Sequence, residues 1–219
     1  MPDLDRGQAQ ASTREKIVDN AINLFAVKGF TETSIRELAA ASGLKAGSIY
    51  NYFPSKNDIL NYILNDYATC YAGTIDYEDA AIILKKNPNV EGILSCTRLY
   101  FPEGKEEYYK KVLSVLLQEQ YRNPVIHDFI CKQIILRAEH DIQAILQVLK
   151  DTGGIRQDTD LDFWKKMCSS LMYAFSSRML LGIGDSLPGY TGMGMIDLLK
   201  TLLNLMFATC GVQDSTFPR

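Results

Sequence analysis

Residues that start and stop helices recur along the whole chain, and their spacing constrains the fold more than any other feature. Alternation of apolar and polar residues, which is typical of strands, is rare. The pattern therefore predicts an all-α protein with an N-terminal three-helix domain and a C-terminal helical domain. Breaks between the later helices are predicted at Asn87-Pro88, Phe101-Pro102, Asn123-Pro124, Gly153-Gly154 and Pro188-Gly189.

Helix-starting signals are densest in the first 60 residues. Ser12 with Glu15, and Ser34 with Glu37, have the capping-box spacing, in which the Ser oxygen accepts a helix N–H and the Glu reaches back. Residues 1–11 are polar and are expected to be a disordered arm. The predicted helices run from Ser12 to Lys28, from Ser34 to about Ala41, from about Lys45 to Asn51, and from Ser55 to about Tyr71.

The second and third predicted helices are joined by a tight turn, Ser42-Gly43-Leu44. Gly adopts backbone angles that other residues resist, so it suits such a turn. Two short helices joined in this way are typical of a helix-turn-helix. Spacing alone leaves open a plain helical subdomain with solvated polar residues.

The outward residues of the third helix suit contact with DNA. Ser48 and Asn51 can bond to base edges, while Tyr50 and Tyr52 offer phenol donors to phosphate. Lys56 lies at the start of the next helix, where backbone N–H groups favour an anion. The candidate DNA contacts are Ser34, Arg36, Lys45, Ala46, Gly47, Ser48, Tyr50, Asn51, Tyr52 and Lys56.

Two stretches of the N-terminal segment carry a more specific pattern. They are Ala21-x-x-Leu24-Phe25-x-x-x-Gly29-Phe30-x-x-Thr33 and Gly47-Ser48-Ile49-Tyr50-x-Tyr52-Phe53-x-x-Lys56. Over roughly residues 13–62 the chain resembles the DNA-binding domain of TetR-family transcriptional regulators. The resemblance implies a homodimer that places two recognition helices in the major grooves of a palindromic operator. It also implies that Lys45 to Tyr52 face DNA and that Lys56 contacts phosphate.

One departure from the family pattern concerns base recognition. Asn51 stands where the family often has a larger ring, which permits a hydrogen bond to adenine here. Lys45 occupies a position that varies in the family, so the base preference stays open.

The C-terminal part resembles the family only in general layout, which implies a helical ligand-binding and dimerisation domain. The predicted division is a DNA-binding domain over 12–54, a connecting helix over 55–72 and the ligand-binding domain over 73–219. Helices over about 159–183 and 191–210 are the expected dimer bundle, by resemblance. Candidate pocket residues, for each of which core packing is the alternative, are Tyr100, Tyr108, Phe129, Trp164, Met167 and Tyr173.

The charge balance limits the kind of DNA binding. With 23 Lys and Arg against 26 Asp and Glu, the net charge is −3, which excludes indiscriminate coating of nucleic acid. The stretch from Leu38 to Asn57 nevertheless contains Lys45 and Lys56 and no acid. We therefore expect a modest number of phosphate contacts.

Cysteine and histidine usage gives no metal or cofactor site. Five cysteines, an odd number without a CxxC pattern, argue against a disulfide framework or a zinc site. Buried thiols in a reducing cytosol are expected, with a redox sensor as the alternative. His127 and Cys131 share a helix face, but two ligands make a weak site. No cofactor is predicted.

The sequence raises three candidate functions. The first is a ligand-responsive repressor released from its operator by a small molecule. The second is a DNA-binding regulator whose C-terminal domain only dimerises or docks a protein. The third, an enzyme, lacks any recognisable catalytic signature. The N-terminus has no apolar region of a signal peptide and no run reaches the ~18 to 20 apolar residues that span a bilayer. A cytoplasmic location without membrane partners is expected.

Overall fold

The computed structural model describes residues 2–70, 77–97, 106–180 and 195–211. The described part is helical apart from its turns and one isolated bridge between Ile155 and Gly211, which confirms the all-α fold. The helices are α1 (Pro2–Lys28), α2 (Ile35–Ser42), α3 (Ala46–Ile49), α4 (Lys56–Cys70), α5 (Tyr77–Lys86), α6 (Val90–Thr97), α7 (Glu106–Glu119), α8 (Pro124–Phe129), α9 (Leu136–Asp151), α10 (Leu161–Leu180) and α11 (Met195–Cys210). A π-helical stretch, Ile130–Ile135, joins α8 to α9.

The chain divides into two compact units. The first unit comprises Met1–Tyr71 and Pro102–Ile130, and the second comprises Ala72–Phe101 and Cys131–Arg219. This division differs from the predicted boundary at residue 73, because α7 and α8 belong with the N-terminal helices. The helix-turn-helix therefore shares a compact unit with helices that lie 50 residues or more further along the chain.

The first helix is longer than the capping signals predict. It begins at Pro2 rather than at Ser12, so residues 2–11 are helical rather than a disordered arm and Ser12 lies inside α1. Pro is favoured at the first helical position because its missing N–H has no partner there in any case. Gly7 is the one residue of high helix cost between Pro2 and Ser12.

The core of the first unit is formed by the inward faces of α1, α2, α4 and α7. Phe25 of α1 is fully buried, and its ring meets Phe30 edge-on at 5.2 Å between centroids. Removing such rings from water stabilises the unit by about 1.5–3 kcal/mol each. The other large, fully buried side chains of this unit are Ile17, Leu38, Ile49, Phe53, Ile59, Leu60, Leu116 and Ile126.

The second unit packs α9 between α5 and α10, with α6 and α11 completing the core. Asn123 is the N-cap of α8, the helix that precedes the second segment of this unit along the chain, and its side chain accepts the N–H groups of Val125 and Ile126. An apolar cavity of about 30 Å³ remains within the core. Its lining residues are Ile93, Ile142, Ile145, Leu146, Cys168, Met172, Leu199 and Leu203.

Cysteines of the second unit behave as core residues where they are enclosed. Cys96 and Cys168 are buried, and burial raises the pKa of each thiol to about 11. Such thiols are poor nucleophiles, because the thiolate is the reactive form. Over the part of the chain that the structure describes, no group of His, Cys, Asp and Glu has the geometry to hold a metal. Within the same residues, no helix combines the length and apolarity needed to cross a membrane.

Candidate nucleic-acid interface

The second helix starts with the capping box that the sequence predicts. The Ser34 side chain accepts the N–H of Glu37 at 3.2 Å, and the Glu37 carboxylate accepts the N–H of Ser34 at 2.9 Å. The Lys28 ammonium of α1 also donates to this carboxylate. The Lys28 hydrogen bond and the two Ser34 donors lower the pKa of Glu37 to about 2. The start of α2 is thus fastened both to its own backbone and to the end of α1.

The turn between α2 and α3 depends on Gly43. Gly43 has φ 71° and ψ 29°, in the left-handed region that suits glycine at the end of a helix. The N–H groups of Gly43 and Leu44 donate to Ala40 and Ala39 at 3.1 and 2.8 Å. From α1, the Asn20 amide donates to the Ser42 hydroxyl at 3.4 Å. The geometry confirms a helix-turn-helix over these residues.

The third helix is short, with one buried and one open side. Lys45 is its N-cap and no side chain caps it. Backbone bonds from Tyr52 and Phe53 to the carbonyl of Ile49, at 2.9 and 3.0 Å, extend the helical path beyond α3. Ile49 and Phe53 are 0% and 1% exposed, so they anchor the segment to the core.

Most candidate DNA contacts lie on the open side of α3 or beside it. Tyr50 is 54% exposed. Arg36, Lys45, Gly47 and Asn51 are also exposed, whereas Ala46, Ser48 and Tyr52 are half-buried. A Cβ added to Gly47 would meet no atom of the protein within 4 Å. The start of α3 therefore presents an open surface with small side chains and one cation.

The side chains of Ser34 and Lys56 both form hydrogen bonds to other groups of the protein. The Ser34 hydroxyl donates to the Glu37 carboxylate at 2.9 Å. The Lys56 ammonium donates to the carbonyls of Phe30, Thr31 and Thr33 at 2.7, 3.1 and 2.8 Å. An ammonium has three N–H donors, so a direct bond to phosphate would require Lys56 to release one of these carbonyls.

Arg14 is a residue near this surface that the sequence analysis did not select. Its guanidinium lies 4.6 Å from the ring centroid of Phe53 and 5.0 Å from that of Tyr62. Arginine stacked on aromatic faces keeps its N–H donors available at the ring edge. Helical spacing placed Arg14 on α1, but nothing in the sequence indicates its proximity to the residues that follow α3.

The structure describes five of the six candidate pocket residues, and they belong to both units. Tyr108 and Phe129 belong to the first unit, where Tyr108 donates to Asp66 at 2.6 Å and Phe129 meets Tyr67 edge-on at 6.1 Å. In the second unit Trp164 is buried, Met167 is 42% exposed and Tyr173 is half-buried. Tyr100 lies outside the described residues. Of the five that the structure describes, none lines the described cavity, whose walls are mainly aliphatic.

Comparison with known proteins agrees with this geometry. Residues 17–63 match the family model described as bacterial regulatory proteins, tetR family. The HTH-type transcriptional repressor KstR2 of Rhodococcus jostii is 33% identical over 66 residues, which is 30% of this chain and 32% of that protein. The HTH-type transcriptional regulator AcrR of Shigella flexneri is 39% identical over 56 residues, 26% of each chain.

A solved structure extends the likeness beyond the N-terminal segment. SmeT, the repressor of the Stenotrophomonas maltophilia multidrug efflux pump SmeDEF, superposes with a TM-score of 0.62 at 16% identity. The superposition covers 94% of this chain and 96% of SmeT, and at this identity it shows a common fold alone. The chain spans about a third or less of the length of the two curated relatives. Residues 17–63 therefore form a TetR-family helix-turn-helix domain.

The capping box makes the first unit sensitive to acid in a defined window. Because the pKa of Glu37 falls from 4.5 to about 2 on folding, its carboxylate stabilises the fold above pH 4.5. That contribution is lost as the pH falls through about 2. Glu37→Gln keeps a capping acceptor but cannot ionise. We expect the difference in unfolding free energy between wild type and Glu37→Gln to shrink from pH 5 towards pH 2, as measured by urea titration.

A Lys28→Gln background provides the control for this measurement. There the pH dependence should be weaker yet remain, because the two Ser34 donors still lower the pKa of Glu37. A difference between wild type and Glu37→Gln that is the same at pH 7 and pH 3 would contradict the assignment.

Proposed function

We propose that the protein is a dimeric transcriptional repressor that binds a palindromic operator and is released from it by a small-molecule effector. The observation that carries the proposal is the two-sided α3 segment, in which Ile49 and Phe53 are buried while Lys45, Gly47, Tyr50 and Asn51 are exposed. The repressor function is supported by the names of similar proteins, among them KstR2 and the negative regulator IcaR of Staphylococcus aureus.

The open residues divide into base-reading and phosphate-binding groups. Asn51 has the amide that pairs with adenine in the major groove, and Ser48 can bond to either kind of base edge. Lys45, Arg36 and Tyr50 supply phosphate contacts at the rim, with Tyr52 behind them. Ala46 and Gly47 allow the start of α3 to approach the groove closely. The Lys56 side chain supports this surface from within, as its bonds to three carbonyls indicate.

A dimer is supported by three exposed apolar side chains on helices of the second unit. Phe163 and Met167, four residues apart on α10, are 51% and 42% exposed, and Leu205 on α11 is 55% exposed. Exposed apolar residues at helical spacing favour burial against a partner helix. A second copy of the chain would cover these three side chains and supply the second recognition helix. The two recognition helices then need a separation of ~34 Å to reach successive major grooves of one DNA face.

The effector is proposed to have an apolar body, since the cavity of the second unit is lined by aliphatic side chains, Cys168 and Met172. The cavity measures about 30 Å³, so an effector of several carbon atoms has to displace side chains. Met172 is suited to this because its unbranched side chain repacks easily. The small volume also favours a second candidate function, in which this unit only dimerises or docks a protein partner.

Selection of bound sequences from random duplex DNA tests the central proposal. We expect an enriched palindrome with half-sites about 10 base pairs apart, centre to centre. Affinity for the selected site should fall with salt at a modest slope, because few cations lie on the open surface. Selection without any enriched palindrome, or affinity that does not change with salt, would contradict the proposal.

Gly47→Ala separates DNA contact from folding. The added methyl group meets nothing in the protein, and Ala favours a helix over Gly by about 1 kcal/mol. We expect unchanged or raised thermal stability together with weaker operator binding, because the methyl group occupies space needed for the DNA. Val27→Ala, at an 84% exposed site on α1, is the control and should change neither property. Unchanged operator affinity in Gly47→Ala would show that α3 does not approach the groove at this point.

A thermal-shift screen decides between the effector and the docking function. An apolar compound at ~100 times its dissociation constant should add about 2.7 kcal/mol to stability. Cys168→Leu, which fills the cavity, should abolish that shift while leaving operator binding intact. If no apolar compound raises the midpoint and the dimer still binds the operator, the second candidate is the function.

A further inference from the structure

Residues 29–33, which lie between the end of α1 and Ser34, the N-cap of α2, form a compact segment that we call the connector. Gly29 has φ +87°, and its N–H donates to the carbonyl of Phe25 in the last turn of α1. Thr33 is 1% exposed, and its hydroxyl donates to the Gly29 carbonyl at 2.8 Å, which closes the connector on itself. Ser34, the N-cap of α2, follows directly, so the path of the connector decides where α2 begins.

One side of the connector is held by Lys56 of α4. The three carbonyls that its ammonium binds, those of Phe30, Thr31 and Thr33, all belong to this segment. The same ammonium lies 4.6 Å from the ring centroid of Phe30. Burial lowers the pKa of Lys56, while the charges of Glu119 and Glu32 oppose that shift. Three carbonyl groups of the connector thus accept hydrogen bonds from a lysine at the start of α4.

The other side is held by Glu119, the last residue of α7. Its Oε1 accepts the N–H of Phe30 at 2.7 Å, in a buried hydrogen bond between residues 89 positions apart. A Cβ on Gly29 would lie 2.7 Å from this oxygen, so the carboxylate occupies the space that glycine leaves. The connector is therefore held between an acid from α7 and an ammonium from α4.

Glu119 is a costly residue for this place if stability alone is considered. Its residue exposure is 4%, and its Oε2 is buried without a hydrogen-bond partner in the described structure. A buried carboxylate loses its hydration, and at the C-terminal end of a helix it also faces the negative end of the helix dipole. An apolar side chain of similar size would fill the same volume but would leave the buried N–H of Phe30 without this acceptor.

Other contacts attach α7 to α1 without Glu119. The Lys111 ammonium donates to the Asn23 side chain at 3.0 Å, and the Gln118 amide donates to the Ala26 carbonyl at 3.3 Å. The buried residues of α7 add apolar contact within the same unit. Holding α7 in place therefore does not require the acid, whereas binding the Phe30 N–H does.

We propose that Glu119 is a positioning residue for DNA binding, which fixes the connector and with it the placement of α2 and α3. The inference rests on the proposed function of α3 as the DNA-reading helix. Glu119 does not itself contact DNA in this account. Losing its hydrogen bond lets the connector change its path, and the open side of α3 then meets the operator in a less favourable position.

Glu119→Gln and Glu119→Leu test this, because they remove the same charge and differ in the hydrogen bond. Gln retains an acceptor for the Phe30 N–H, and Leu does not. We expect Glu119→Gln to bind the selected operator within about twofold of wild type and Glu119→Leu to bind about tenfold more weakly. Binding to random duplex at low salt should be equal for the two variants, since their charge is equal.

Hydrogen exchange distinguishes a positioning role from a general effect on stability, because only a positioning role predicts faster exchange confined to the connector and Ser34. In Glu119→Leu the amides of residues 29–34 should exchange faster than in wild type, with α4 and the N-terminal turns of α7 unaffected, and Glu119→Gln should restore slow exchange. Glu107→Gln, which removes an exposed acid near the start of α7, is the charge control. Val115→Ala, at a buried position of α7, is the stability control and should leave operator affinity unchanged in folded protein.

The outcomes separate this inference from the function on which it rests. If wild-type protein binds no duplex, the proposed function fails and the positioning role fails with it. If wild type binds but Glu119→Gln and Glu119→Leu are equal in operator affinity and in exchange, the positioning role alone is overturned. It is also overturned if Val115→Ala weakens operator binding as much as Glu119→Leu does, because affinity would then follow stability rather than the connector.

Discussion

The structure depends on the fact that α3 is too short to be stable by itself. A helix of four residues has too few internal hydrogen bonds to offset the cost of ordering it. Its position is therefore set by burial of Ile49 and Phe53 against the first unit. Tyr50 and Asn51, which lie between these anchors, face outwards, because a helix that buries one side presents the other. The open surface proposed to read DNA is a consequence of how α3 is held.

The basic residues near this surface divide according to the same requirement. The Lys56 ammonium donates to carbonyls of the connector, and the Lys28 ammonium donates to the Glu37 carboxylate. Lys45 and Arg36 are exposed on or beside the helix-turn-helix. Cations near α3 thus differ in their contacts, and only those contacts distinguish a structural cation from one that is free to reach a phosphate.

Local features were predicted well because their physical causes are local. The capping box of Ser34 and Glu37, and the turn at Gly43, require only residues a few positions apart, so spacing identifies them. The start of α1 was missed, since no cap marks it and the helix continues through Gly7. The place of Lys56 at a helix start predicts a phosphate contact, which remains a prediction, whereas its bonds to a segment more than 20 residues upstream cannot be read from spacing.

Periodicity, caps and turn residues act over one or two helical turns, so the all-α class and the helix-turn-helix follow from residue spacing alone. Which side chains meet across the chain depends on the tertiary structure. It placed α7 in the same unit as α1 and put Glu119 on the Phe30 N–H. Contacts between distant segments depend on how whole helices pack, and residue spacing along the chain does not encode that directly.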